Sequence, residues 1–332
     1  MHRLLVGSLA GALAVQGAAC GRARPQEPER QAAEAASAAN TVSLSTRLSR
    51  PAPERIVAIG DLHGDLDHTR RGLRLAGVVD DHDRWIGGSA VLVQTGDEID
   101  RGDDDRAILD RIEDLKAQAA LAGGEVIALL GNHEIMNASL DFRYVTAGGF
   151  AAFSPLLPPD GSPGLPLDMP LEARGRASAF APGGAYARVL ASRPFVAKVG
   201  DTVFVHGGIL PKHVTYGLDR MNDDVDAWLL DRRDQPPAPL VAEDGPVWTR
   251  AYSSLAEAPD CDALARVLSE LRAKRMVVGH TVQPSGISSA CDDRVWRIDV
   301  GLSRAFGGPI EILEIVGNDV TVLREHQRAL SP

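Results

Sequence analysis

The sequence predicts an α/β fold in which two β-sheets pack face to face with helices on the outside. Apolar, β-branched runs at Arg55–Ile59, Ala90–Gln94 and Glu125–Leu130 read as buried strands. The segments between them carry apolar residues at helical spacing, the rhythm of βαβ units and a mainly parallel sheet. A second group of strand-like runs after residue 195 is numerous enough to build another sheet.

Taken in order, Arg55–Ile59 is the first strand and Leu66–Leu75 the helix behind it. Ala90–Gln94 is the second strand. A long amphipathic helix from Arg106 to Ala122 follows and stops at Gly123-Gly124, where glycine no longer supports the helix. Glu125–Leu130 is the third strand. Leu140 to Gly184 breaks the rhythm, crowded with Pro155, Pro158, Pro159, Gly161, Pro163 and Gly164. Connections of that length are lids, binding surfaces or disordered segments. A small cap beside the active site is the expectation; an excursion without a catalytic role is the alternative. Phe195–Val199 and Thr202–Val205 flank Gly200-Asp201, a hairpin signal that makes the sheets mixed. Arg275–Val278, Val295–Val300, Ile310–Val316 and Val320–Leu323 supply the remaining strands.

The chain has 332 residues, 44% of them apolar, which suffices for a substantial core. Its formal charge of -10 argues against nucleic acid as a partner, because duplex binding rests on clustered Lys and Arg. An anionic phosphate can still bind where metals and a few arginines make a pocket locally positive. Residues 1–20 read as an export signal: Arg3, an apolar stretch from Leu4 to Val15 too short to span a bilayer, and small residues Gly17-Ala18-Ala19. Cys20 follows at once, as in a bacterial lipoprotein signal whose cysteine becomes the lipidated N-terminus. Gly17, however, stands where such signals carry Leu, so a soluble secreted protein cleaved near the same point is the other reading. Residues 21–53, rich in Ala, Arg, Glu and Pro, read as a disordered tether to a catalytic domain at 54–328. Periplasmic or membrane-anchored placement in a bacterium follows. Cys261 and Cys291 then face an oxidising compartment, where a disulfide between them is the expectation and two unpaired buried thiols the alternative.

Function is written at the strand ends. Gly60-Asp61-Leu62-His63-Gly64, Gly96-Asp97-Glu98-Ile99-Asp100-Arg101-Gly102, Gly131-Asn132-His133-Glu134, His206-Gly207-Gly208 and Gly279-His280-Thr281 each follow an apolar run. Singly, such residues are helix caps or turn residues, as Gly102-Asp103 and Gly200-Asp201 are expected to be. In this order, on rigid strands, they can gather nitrogen and oxygen donors around two divalent cations. The set resembles the phosphoprotein phosphatase (PPP) family of the calcineurin-like metallophosphoesterase superfamily, over residues 55 to 303. Val282 stands where broader metallophosphoesterases place a second histidine. Val247-Trp248-Thr249-Arg250, Met276–Thr281 and Trp296–Gly301 are similar to the Shewanella-like branch, which includes members acting on phosphotyrosine.

The resemblance implies an αββα sandwich of two mixed sheets with metals at the strand C-termini, the metallo-dependent phosphatase fold. It implies Asp61, His63 and bridging Asp97 on one ion, and Asp97 with Asn132, His206 and His280 on the other. Donors without thiolate suit Mn, Fe or Zn. His133 matches the family's general acid with Asp100 orienting it, and Arg101, Arg250 and Asn132 the phosphate-binding positions. Glu134 reads as support rather than as a ligand. The reaction implied is direct attack of a metal-bridging hydroxide on a phosphomonoester of Ser, Thr or Tyr in a phosphoprotein. One rival is a nucleotide-directed relative that hydrolyses diadenosine tetraphosphate. The other is a non-catalytic surface lipoprotein, which would be expected to lack a ligand or the general acid.

Overall fold

A computed structural model describes residues 42–157 and 168–325. The export signal and Cys20 lie outside the described residues. In chain order come β1 (Ser49–Arg50), β2 (Arg55–Ile59), α1 (Leu66–Leu75), β3 (Val91–Gln94), α2 (Asp105–Leu121) and β4 (Glu125–Ala128). Short helices α3 (Asn132–Ala138) and α4 (Ala147–Ala151), α5 (Leu171–Phe180) and α6 (Ala185–Leu190) occupy the middle. Then follow β5 (Val196–Val199), β6 (Thr202–Val205), α7 (Pro211–Tyr216), α8 (Leu218–Leu229), α9 (Ala238–Val241) and α10 (Cys261–Glu270). β7 (Arg275–Val278), β8 (Ser288–Ala290), β9 (Val295–Arg297), β10 (Glu311–Val316) and β11 (Asp319–Arg324) complete the described chain.

Two mixed sheets result. One has the order β11-β10-β2-β3-β4, with β2, β3 and β4 parallel; the other runs β1-β5-β6-β7-β9-β8. The period of two decides how they pack. In β6, Val203 and Val205 join the cluster formed with α8 and α10, while Phe204 points into the cluster shared with the other sheet. In β7, Met276 and Val278 take the helix side and Val277 the sheet side. Helices α1 and α2 bury Leu73, Ile108, Ile112 and Leu115 on the far face of the first sheet. The layers are therefore α/β/β/α, as the sequence implies. Local chemistry sets the helix starts: the Asp65 carboxylate accepts the His68 N–H at 3.1 Å, and Asp260 accepts that of Ala263 at 2.9 Å.

Register places the site. Ile59 pairs with Gln94 and Gln94 with Ala128, so the parallel strands end level. Val205 and Val278 are paired in the same way in the second sheet. Every motif named above begins within a few residues of these ends, so their side chains emerge along one rim. The loops are stitched to one another by backbone bonds, Leu62 and His63 donating to Asp97 O at 2.9 and 3.1 Å, and Gly279 to His206 O at 2.8 Å.

Two expectations change. Residues 42–53, assigned to the tether, are packed: Leu48 is 1% exposed and β1 adds to the edge of the second sheet beside β5. Two residues of strand and a few isolated apolar anchors have no periodicity to detect. The expected strand Val295–Val300 stops at Arg297, and β8, unforeseen, pairs with it antiparallel. The segment 140–184, expected as a cap, holds α4 and α5 among its described residues. Among the described residues no helix is long and apolar enough to cross a membrane.

Candidate active site

The structure brings the predicted residues together. Asp97 sits at the centre: its Oδ2 lies 3.3 Å from His206 Nε2, 3.8 Å from His133 Nε2 and 3.9 Å from His63 Nε2. Asp61 Oδ2 is 3.9 Å from His63 Nε2, and its Oδ1 is 3.9 Å from His206 Nδ1. Asn132 Oδ1 lies 2.9 Å from His206 Nε2. Asp97, His206 and His280 offer ligand atoms within 4.8 Å of one another, and so do His63, Asp97 and His133. The second of these groups holds His133, which the sequence reading reserves for acid chemistry.

Each expected histidine ligand has one ring nitrogen tied to a backbone carbonyl. His63 Nδ1 donates to Ile99 O at 3.2 Å, His206 Nδ1 to Thr95 O at 2.9 Å and His280 Nε2 to Trp248 O at 2.9 Å. A carbonyl can only accept, so each of those nitrogens carries a proton, and in the neutral ring the other nitrogen keeps its lone pair. This is how proteins orient metal-binding imidazoles. His206 Nε2 then faces two acceptors, Asn132 Oδ1 and Asp97 Oδ2, an arrangement that calls for a positive charge between them. Burial lowers His63 to about 4 despite Asp97, and burial with the charges of His206 and Arg250 lowers His280 to about 3. Neutral imidazoles are the ligand form. Burial, then Asp299 and Asp97, raise Asp61 well above the ordinary carboxylate range. The donor set thus fits divalent cations, whose charge would relieve these crowded carboxylates.

Backbone conformation supports the reading. His63 (φ 46°), Asp97 (φ 57°), Asp100 (φ 70°), Arg101 (φ 70°) and His280 (φ 67°) all adopt left-handed conformations without being glycine. Such strain persists only where surroundings over-determine it, and it concentrates at functional sites. Here Glu134 is one constraint. Its carboxylate accepts the N–H of Asp97 at 2.9 Å, of Glu98 at 2.9 Å and of Gly131 at 2.8 Å. Burial, Asp97 and Glu98 raise it to about 7. It is a brace, as expected, with both oxygens turned to backbone. Gly279 must stay small, since a Cβ there would collide with Asp61 Oδ1.

His133 Nδ1 meets Asp100 Oδ2 at 2.6 Å, and both side chains are buried. Burial opposes charge on the imidazole, but Asp97 and the Asp100 hydrogen bond outweigh it and raise His133 to about 9. Cations on Asp97 would cancel the first contribution, leaving the bond to Asp100 to hold the proton. Arg101 and Arg250 are exposed, and among the described residues neither has a carboxylate partner. The Arg101 guanidinium lies 4.1 Å from the centroid of the Tyr144 ring and 5.5 Å from that of Phe306. Beside it opens a cleft of about 500 Å³ lined in part by Asp103, Ser303 and Arg304.

The sequence reading missed Asp299, which is 2% exposed and raised to about 6 by its burial. It also missed Tyr144 and Phe306, and Arg176. Only the resemblance of Trp296–Gly301 hinted at the first. Cys261 and Cys291 are bonded, with Cα atoms 5.4 Å apart, which answers the question their sequence left open.

Two sheets capped at one rim by Asp, His and Asn define a phosphoesterase, and the chain belongs to the calcineurin-like phosphoesterase family, whose model matches residues 54–284. Its relatives include Shewanella-like protein phosphatases. It is 41% identical over 322 residues to Shewanella-like protein phosphatase 2 of Arabidopsis thaliana, covering 88% of this chain and 80% of that protein. It is 31% identical over 261 residues to Shewanella-like protein phosphatase 1 of Plasmodium berghei, covering 75% and 67%. A solved cold-active protein tyrosine phosphatase superposes with a TM-score of 0.68 at 25% identity, covering 86% of this chain and 80% of that one.

Proposed function

We propose that the protein is a metal-dependent phosphomonoesterase that dephosphorylates phosphoproteins on Ser, Thr or Tyr. The observation that carries this is the set of three carbonyl-anchored histidines around Asp97 beside the His133–Asp100 pair. Asp61, His63 and Asp97 would hold one cation; Asp97, Asn132, His206 and His280 the other. Mn, Fe or Zn would suit these donors. The chemistry that two cations would supply is activation of the attacking water and neutralisation of the phosphoryl oxygens.

The chain's own residues do the rest. Arg101, spread against Tyr144, and Arg250, near His280, bind phosphoryl oxygens from two sides. His133 keeps its Nδ1 proton on Asp100 and presents the Nε2 proton to the leaving oxygen, so the departing alcohol or phenol leaves neutral. Asp100 fixes which nitrogen faces the substrate. Likeness to a protein tyrosine phosphatase supports keeping phosphotyrosine among the substrates. Export rests on residues 1–20 of the sequence, with lipid attachment at Cys20, and the Cys261–Cys291 bond is in keeping with an oxidising compartment.

The test is phosphate release by residues 42–332 with Mn²⁺ from matched phosphoserine, phosphothreonine and phosphotyrosine peptides, with diadenosine tetraphosphate as competitor. Turnover of a peptide that disappears in Asp97→Asn is the expected result. Cleavage of the dinucleotide alone would replace this reading with a nucleotide-directed one.

A further inference from the structure

Arg176 is a full-length arginine with no exposed surface, on helix α5 of the cap segment. A buried guanidinium persists only where its donors are matched by acceptors. Here they are. Nη2 donates to Asp100 Oδ1 at 2.9 Å, Nη1 to Asp105 Oδ2 at 2.6 Å and to Gly149 O at 2.9 Å, and Nε to Asn137 Oδ1 at 2.7 Å. The rings of Phe153 and Phe180 lie 5.0 and 5.1 Å from it.

Asp100 is thereby held at both oxygens. Oδ2 takes His133 Nδ1, Oδ1 takes Arg176, and Asn137 Nδ2 donates to the pair at 3.0 and 3.1 Å. The left-handed Asp100 backbone is held by the same group, since Asp105 Oδ1 accepts the Asp100 N–H at 3.0 Å while its Oδ2 takes Arg176. The neighbouring Arg101 N–H donates to Tyr144 O, also in the cap segment, at 3.0 Å. A carboxylate so enclosed has one free direction, toward His133.

We infer that Arg176 is a positioning residue for acid catalysis: through Asp100 it aims the His133 imidazole, so the cap segment works as part of the proton-donating machinery. This rests on the phosphomonoesterase reading and on His133 as acid. A purely architectural arginine would lower activity on all substrates alike when removed. A positioning arginine must matter more as the leaving group becomes poorer, because only then does proton donation limit the rate.

The test compares kcat/KM for phenyl phosphate, a poor leaving group, with that for p-nitrophenyl phosphate, a good one, in the Mn²⁺-loaded protein. Arg176→Met is expected to lose about tenfold or more on phenyl phosphate beyond its loss on the nitrophenyl ester, with KM for the latter held within about twofold. Arg176→Lys, which keeps the charge but reaches fewer acceptors, should recover part of that selective loss. Should Arg176→Met not fold, Arg176→Met with Asp105→Asn removes the stranded buried carboxylate and carries the same comparison. Equal losses on both esters, or none, would overturn the inference. His133→Asn is the reference. If it too shows no preference between the esters, the acid reading itself fails; if it is selective and the Arg176 variants are not, only the role of Arg176 falls.

Discussion

The Cys261–Cys291 bond closes a loop with a sequence separation of 30 residues that contains all of β7 and the ligand candidate His280. Cutting it by reduction, or by Cys261→Ser with Cys291→Ser, returns that freedom to the unfolded chain. For a loop of this length the lost constraint is about 12 cal/mol/K, or about 3.6 kcal/mol at 25 °C. With an unfolding entropy of about 2.1 cal/mol/K per residue, a domain of this size should melt about 6 °C lower. Calorimetry of the oxidised, reduced and double-serine forms, at one fixed concentration of free Mn²⁺, measures the change. The reduced and double-serine forms should fall together. A shift under about 1 °C in both would show that the bond does not restrict the unfolded chain by the expected amount, and the loop argument would be wrong.

Two other perturbations separate structure from chemistry. His213 is buried with Nδ1 accepting the Leu210 N–H at 3.0 Å, and burial, with nearby Lys212, lowers it to about 4 against the partial compensation of Asp244. Between that value and about 6.5 the unfolded chain binds the proton and the folded one does not, so stability falls as pH drops, by about 3 kcal/mol in full. Urea midpoints at pH 7 and pH 4.5 should differ less in His213→Gln than in the wild type; identical differences would rule this histidine out. At the site, Arg101→Ala and Arg250→Ala should each lower kcat/KM by about tenfold or more, since each removes a charged donor to the phosphoryl group. Lysine should replace Arg101 poorly because it cannot lie flat against Tyr144. Unchanged steady-state kinetics in either alanine variant would remove that arginine from the phosphate site.

What could be read in advance follows from how locally each feature is encoded. Asp61, Asp97, Asn132, His206 and His280 were legible because each follows its own strand by one to four residues, and strand and candidate ligand share one short stretch of sequence. The long amphipathic helix α2 was legible for the same reason. Arg176 was not. In Leu171–Phe180 a charged residue amid alanines reads as solvent-facing, and its partners Asp100 and Asp105 lie more than 70 residues away. Asp299 gains its meaning only from the carboxylate of Asp61 across the fold. β1 and β8 are too short to show a period, so residues 42–53 looked like tether until their pairing and the burial of Leu48 placed them. Sequence showed the candidate residues for the chemistry and the supports beside them, Asp100 and Glu134, and hid the distant ones that hold them still.

Glu134 has a consequence for how such a centre can change. One carboxylate is bonded to amides of Asp97, Glu98 and Gly131, so the loops after β3 and β4 are joined at a single point. Asp97, Asn132 and His133 therefore form one rigid body, and a substitution that loosens any of them disturbs all three. His63 is tied to the braced loop through Asp97 O and Ile99 O, whereas the His280 ring is held by Trp248 O, outside the brace, and can shift without it. Descent with a new preference among cations would accordingly begin at the loop of His280, and the braced half would be inherited whole.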